Sequence, residues 1–404
     1  MELQQNKNIC STISNYIAQI RGLRKTSASP SDVWFITFKH GVVYDKIPVD
    51  KAVMKVFFSD DVPFGDGQEE LEDNTIGLNY EERVYRKIIN PLLDHVCPFF
   101  IRLFTSTQSC SYDNMIKLLQ AEFGDRKNAE ARFDRIFKMI WRQSGRPKPS
   151  INDTLDTLES YELLKSLKYS YIVLREFTPK HKSMYEYIQA INFQLPLENN
   201  VNFWLVLFQM AVGLYAMELS KLVHNDFHHQ NCIIETLDGP HTRSIGVTYS
   251  KETWYYEYTS NIRTVIFDFD RAYSPQLGPN ESLPEKCGGW AGYQCSKFVK
   301  GRDAMQMFCY ILRFMKEAHA TIPNLMLVAS QLTTITNFNE LSKFNDENRF
   351  CTTKNVPPIF PLSVIIFNLA EKAKIKITRE NILPAYHLDP ADFSPTGNFL
   401  QAKS

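Results

Sequence analysis

His224-Asn225-Asp226-Phe227-His228-His229-Gln230-Asn231 is the stretch on which the reading of this chain turns. It follows a long apolar run, Phe203 to Leu219 (FWLVLFQMAVGLYAMEL), and precedes the short strand-like run Cys232–Ile234. Further on, Val265 to Asp270 reads VIFDFD and sets Asp268 at the end of an apolar strand. Phosphoryl transfer needs a carboxylate to orient and deprotonate the attacking hydroxyl, oxygen ligands for magnesium, and a cation on the nucleotide phosphates. Magnesium takes a few carboxylate or amide oxygens and fills its remaining positions with phosphate oxygens and water. An Asp-x4-Asn loop followed by a strand-end aspartate offers the base and the ligand set. Taken alone, Asp226 reads equally as a turn or cap residue. Three histidines beside it suggest zinc, but all lie on one loop with no cysteine and no partner motif.

Working outward, residues 1–22 read as a helical lead-in. From Val33 to Phe58 the pattern becomes β-branched and aromatic (VWFITF, GVVY, AVMKVFF), which predicts three strands in a meander. Lys55 sits inside the last of these; an edge-strand lysine is the plainer account, a functional charge partner the sharper one. Ser59 to Asn74 is acidic and contains glycine, as a loop does. Tyr80 to Leu93 has helical spacing. Residues 105–170 read as a helical insertion carrying Arg126, Lys127, Arg132, Arg135, Lys138, Arg142, Arg146 and Lys148. Solvated helix faces account for this basic cluster; a docking surface for an acidic partner at 126–148 is the alternative. Tyr171 to Phe177 (YIVLREF) is a short strand, and a mainly helical half follows from residue 181 to 404. Strands plus one helix, then helices around short strands, predict an α+β chain of two unequal lobes, 23–180 and 181–404.

Taken in order, these segments resemble the protein kinase superfamily. HNDFHHQN is similar to the catalytic loop H-R-D-x-x-x-x-N, which puts Asp226 at the base position and Asn231 at a metal position. FDFD resembles the D-F-G element, implying that Asp268 binds magnesium. AVMK resembles the strand whose lysine, here Lys55, contacts the ATP phosphates. Glu81 has the spacing of the helical glutamate that pairs with that lysine, with Glu82 as the alternative. YIVLREF is similar to the strand entering the adenine-binding hinge, near Glu176 and Phe177. Gly301-Arg302-Asp303 resembles the helix start whose aspartate braces the catalytic loop. The implied architecture is a bilobal kinase-like fold with a β-rich N-lobe and a larger helical C-lobe. The implied cofactors are ATP and Mg²⁺.

The departures are specific. The glycine-rich loop corresponds to Thr26-Ser-Ala28-Ser-Pro-Ser31-Asp-Val33, in which small residues replace every glycine, so Thr26, Ala28, Ser31 and Val33 inherit the phosphate-covering positions. Asn225 stands where the family has arginine, leaving no cation for an activation-segment phosphate, and constitutive activity follows. Asp270 replaces the D-F-G glycine, and no A-P-E closes the segment. His228 replaces the usual lysine, a feature of small-molecule and atypical kinases. Together with the short segment, it also resembles kinases encoded by large DNA viruses.

At 404 residues with 44% apolar content, 28 Phe and 19 Tyr, the chain can bury a large core. A formal net charge of zero carries no nucleic-acid footprint. Phe203–Leu219 holds Gln209 and Glu218 and reads as a buried core helix rather than a membrane span. Eight scattered cysteines without a C-x-x-C pair read as reduced thiols of an intracellular protein, in cytoplasm, host cell or virion. Three functions are consistent with these residues: a Ser/Thr protein kinase, a small-molecule kinase of the same fold, or a pseudokinase that binds without catalysis.

Overall fold

The computed structural model describes residues 2–3, 9–22, 32–58, 74–133, 169–281, 283, 295–343, 345–346, 349–350, 358–380 and 385–400. The fold mixes helix and sheet, and the chain divides into two compact units, Met1–Glu82 with Arg102–Glu176, and Arg83–Ile101 with Phe177–Ser404. The expected division at 180 left residues 83–101 with the first lobe. They belong to the second unit because residues 99–101 bond to a strand end there: Ile266 N–H donates to Phe99 O at 2.9 Å, and Ile101 N–H to Ile266 O at 3.1 Å.

In the first unit, β1 (Ile17–Gly22), β2 (Asp32–Phe38), β5 (Lys51–Phe58), β6 (Leu103–Cys110) and β7 (Tyr169–Arg175) form one antiparallel sheet in the order β1-β2-β5-β7-β6. Three expectations fail here. Residues 17–22 are strand, not helix: a bulge between Ile17 and Gln19 lets Ile17 and Ile20, three apart, both face the core. GVVY leaves the sheet; β3 (Val43–Tyr44) pairs with β4 (Ile47–Pro48), around Asp45 and Lys46 at positive φ, and Val43 also bridges Glu2. Residues 105–110, expected as helix, complete β6. The helix Tyr112–Phe123 follows and packs on β1 with Met115, Ile116, Leu118 and Leu119 buried. Residues 126–133 are helical, and the rest of the basic run lies outside the described residues.

Strand β5 shows how the sheet sorts its side chains. Ala52, Met54 and Val56 enter the core formed with Trp34, Ile36 and Tyr171. Alternation therefore turns Val53, Lys55 and Phe57 to the opposite face.

The second unit is built on the helix Val201–Leu219, buried from Phe203 to Met217. It is long and apolar enough to cross a membrane, yet its polar residue is spent inside the protein. The Gln209 amide donates to Ile262 O at 3.1 Å and accepts from Thr264 N–H at 2.7 Å, beside a bulge in the neighbouring strand. That strand belongs to a hairpin of unexpected length. After β8 (His181–Ser183), β9 (Cys232–Tyr249) and β10 (Glu252–Ile266) pair along almost their whole extent. A small ladder of β11 (Asn345–Asp346) and β12 (Arg349–Phe350) stands apart, while β13 (Lys376–Thr378) and β14 (Ala385–Leu388) flank the hairpin in the order β13-β10-β9-β14. The short strands expected at 232–234 and 264–267 are only the hairpin's base. Phe208 packs against Tyr256 and Tyr258, joining the sheet to the central helix.

The cysteines also depart from expectation. Cys10 and Cys110 form a disulfide with Cα atoms 5.7 Å apart, and Cys295 and Cys309 are each disulfide-bonded. Among the described residues only Cys97 and Cys232 are free, both buried. The spacing showed no pattern because Cys10 and Cys110 meet only through the fold, across 100 residues of sequence.

Candidate functional site

In the first unit the site residues gather around Lys55. Its ammonium, on the face of β5 turned from the core, donates to Glu81 Oε2 at 2.9 Å, with side-chain exposures of 10% and 1%. At that depth each charge needs the other, since removing one partner leaves an uncompensated buried ion. Glu82, one residue on, instead accepts from Ser106 Oγ at 2.9 Å, so Glu81 is the lysine's partner. Val33 on β2 lies directly across from Lys55, and Ile172 on β7 flanks it on the other side; cross-strand partners share a face. Thr26, Ala28 and Ser31 lie outside the described residues. Glu176 follows the end of β7, with Arg21 at 3.9 Å. The Arg175 guanidinium folds back to donate to the Glu176 carbonyl at 2.9 Å. That carbonyl retains a second lone pair.

In the second unit the loop 224–231 is fixed from several sides. Asp303, in the first turn of the helix Arg302–Glu317, accepts the His224 N–H at 2.8 Å and also bonds the Asn225 backbone. Burial pushes the Asp303 carboxyl up, with His224 and these backbone bonds pulling the other way. The His224 ring bonds Phe267 O through Nε2 at 2.9 Å. Within the loop, Asn231 Nδ2 donates to the Asp226 carbonyl at 2.9 Å, while Asn231 O accepts the Phe267 N–H at 3.2 Å. Asn231 thus ties the Asp226 backbone to the residue preceding Asp268. These three side chains come from two loop segments bonded to one another, and the hairpin's base sets their spacing.

Asp226 is partly exposed. His228 Nε2 stands 3.6 Å and Arg271 Nε 4.0 Å from its Oδ2. Burial pushes the Asp226 carboxyl up, but His228, Arg271 and His224 outweigh it and hold it below the usual range. His228 Nδ1 faces the Gln230 N–H at 3.1 Å and accepts from it, which leaves the ring proton on Nε2, toward Asp226. No group of three or more His, Cys, Asp or Glu side chains placed to hold a metal ion occurs among the described residues.

Three groups support the site in ways the sequence reading did not anticipate. Asn225, at φ +64°, donates its side-chain amide to Arg271 O at 2.9 Å and Cys295 O at 3.0 Å. Glu235, fully buried, accepts the Thr178 N–H at 2.7 Å and both Arg263 donors at 2.9 and 2.7 Å. Tyr85 touches the backbone of Asp268. In sequence Asn225 shows only as a replaced arginine, and Glu235 only as a carboxylate closing the apolar run CII.

No known family model and no curated protein sequence matches the chain. Among solved structures it is similar to the crystal structure of the PF14_0431 kinase domain, with 12% identity, 93% of each chain covered and a TM-score of 0.35. What the site can do is carried by its own residues.

Proposed function

We propose that this chain is an ATP-dependent phosphotransferase that moves the γ-phosphoryl group of ATP to Ser or Thr hydroxyls of protein. The observation that carries the reading is the Asn231 junction, which bonds the Asp226 loop on one side and the strand end leading to Asp268 on the other. A base and two hard oxygen ligands on connected backbone are what in-line phosphoryl transfer requires.

The donor set fits the cofactors. An amide oxygen at Asn231 and a carboxylate at Asp268 are hard ligands of the kind Mg²⁺ takes, leaving room for phosphate oxygens. Asn231 and Asp268 would hold the ion, whose chemistry when bound is to neutralise charge on the transferred phosphoryl group. Lys55, oriented by Glu81, would hold the α- and β-phosphates. Asp226, ionised at neutral pH, would accept the proton of the attacking hydroxyl. His228, beside it, would orient that carboxylate. The backbone near Glu176 would receive the adenine, with Val33 over the nucleotide. The Glu176 carbonyl accepts from Arg175 and keeps one lone pair for the base.

Incubation with labelled ATP, Mg²⁺ and generic protein substrates should transfer label, and Asp226→Ala should lower the rate by roughly two to four orders of magnitude with unchanged melting. Equal signal from wild type and Asp226→Ala would end the proposal. Turnover of a hydroxyl metabolite with proteins left unlabelled would redirect it to a small-molecule kinase. No ATP-dependent response at all, with Lys55→Ala without effect, would leave a binding protein.

A further inference from the structure

The second unit holds a group whose placement the proposed chemistry does not yet use. Tyr85 is fully buried and opens a π-helical turn, Tyr85–Ile89, between the helices Asn74–Val84 and Asn90–His95. Its phenolic oxygen accepts the backbone N–H of Asp268 at 3.2 Å. Its ring meets Phe269 edge-on, with centroids 5.3 Å apart at 87°. Phe269 in turn lies 4.9 Å from the His224 ring.

Asp268 has φ +69°. Aspartate is among the few L-residues that visit this left-handed conformation, and a bond to its N–H helps to hold it there. Its N–H has left the β10 ladder, which ends at Ile266, so it needs an acceptor from elsewhere. The phenol provides one. A phenylalanine would fill the same space and meet Phe269 edge-on equally well; only the oxygen distinguishes tyrosine here. A buried tyrosine hydroxyl is normally matched with a partner, and this one is matched with the residue whose carboxylate the proposed reaction needs. Single π-turns inserted in helices recur at functional sites.

We infer that Tyr85 is a positioning residue for Asp268: its hydroxyl fixes the left-handed backbone of that residue and thereby aims the carboxylate at the metal. The inference rests on the phosphotransferase reading, since it concerns the metal ligand of that site. The aim of a ligand alters metal affinity more than global stability, because the ring packing survives loss of one oxygen.

The test is Tyr85→Phe in the full chain, with Mg²⁺ titrated at fixed ATP. Two signals are read: label transfer, and the rise in melting temperature that ATP gives. The ligand-free variant should melt within a degree or two of wild type. The Mg²⁺ concentration giving half of either signal should rise about tenfold, while KM for the protein substrate stays unchanged. Amide exchange across residues 266–270 should accelerate in the variant, a measurement that needs no activity. Wild-type Mg²⁺ dependence with unaltered exchange in Tyr85→Phe overturns the positioning role alone and leaves the phosphotransferase standing. A wild-type protein that shows neither label transfer nor a Mg²⁺-dependent ATP response overturns both.

Discussion

The side-chain amide of Asn225 donates to the carbonyl oxygen of Cys295 at 3.0 Å across seventy residues of chain, and to Arg271 O at 2.9 Å. One small side chain therefore ties the 224–231 loop to two distant points of backbone, and the tie needs no phosphate. Asparagine also tolerates the left-handed backbone at this position better than most residues. In Asn225→Asp both donors go and a carboxylate faces two carbonyls; loss of the donor at the part-buried Cys295 carbonyl costs about 1–3 kcal/mol, while the exposed Arg271 carbonyl turns to water. We expect a lower melting temperature and about a tenfold loss of transfer activity. Asn225→Gly keeps the backbone free to turn left and should lose activity as well, which separates the amide from the φ angle. Phosphatase treatment should leave wild-type activity unchanged; its loss on dephosphorylation would refute the phosphate-free tie.

Glu235 joins the sheet to the chain just beyond Glu176, through Thr178 N–H on one oxygen and Arg263 on the other. In Glu235→Ala the Arg263 guanidinium, about a fifth exposed, loses its partner. Breaking such a pair costs about 3–5 kcal/mol when both ions are buried, and the partial exposure of Arg263 places the expected loss near the lower end. Urea unfolding midpoints would measure it. Replacing both residues, Glu235→Leu with Arg263→Met, should recover most of the stability, since neither ion is left alone. ATP affinity should weaken in Glu235→Ala more than turnover at saturating ATP, because Thr178 is close to the proposed adenine site and remote in sequence from Asp226. A double variant as unstable as Glu235→Ala would show that the ion pair is not the cause.

The residues that were legible in the sequence are those whose chemistry is local. Asp226 and Asn231 share one octapeptide, and Asp268 closes an apolar run, so type and spacing single them out as candidates. Lys55 stands out because a cation inside AVMKVFF has no apolar role. The sheet face it occupies followed from simple alternation. What escaped had no local signal. The hairpin turn is Ser250-Lys251, both at positive φ, where Asn-Gly or Asp-Gly would have announced a type I′ turn. The bulge after Ile17 gives a strand the three-residue spacing of a helix. Tyr85 lies one turn after Glu81 in an unbroken helical pattern, and nothing in that pattern marks a π-turn. The Cys10–Cys110 bridge and the Glu235–Arg263 pair join residues that only the folded chain brings together.

The Cys10–Cys110 disulfide closes a loop of sequence separation 100 and fastens the short helix Ile9–Thr12 to the end of β6. Removing a native bridge typically costs about 2–5 kcal/mol, largely by freeing the unfolded chain. Cys10→Ser with Cys110→Ser should therefore melt several degrees below the oxidised wild type and match it more closely after both are reduced. Cys97 should resist maleimide in the native state, since burial raises its thiol to about 12. A non-reducing peptide map showing Cys10 and Cys110 alkylated as free thiols would dispose of the bridge.

Glu218 closes the helix Val201–Leu219, with Lys300 at 3.3 Å and only 11% of its side chain exposed. Burial pushes its carboxyl above the ordinary value of 4.5, and Lys300 and the Gly301 backbone only partly offset that. The negative end of the helix dipole also opposes a carboxylate there. A carboxyl with a raised folded pKa binds protons more readily in the native state, so native stability falls as pH rises from the unfolded value through the folded one. Glu218→Gln removes the charge but keeps an oxygen for the Gly301 N–H. It should melt above wild type at pH 7, and the gap should close as pH falls toward 4, where both side chains are neutral. Melting curves at half-unit pH steps would show this. A variant less stable than wild type at pH 7 would mean that the Lys300 ion pair outweighs burial at this helix end.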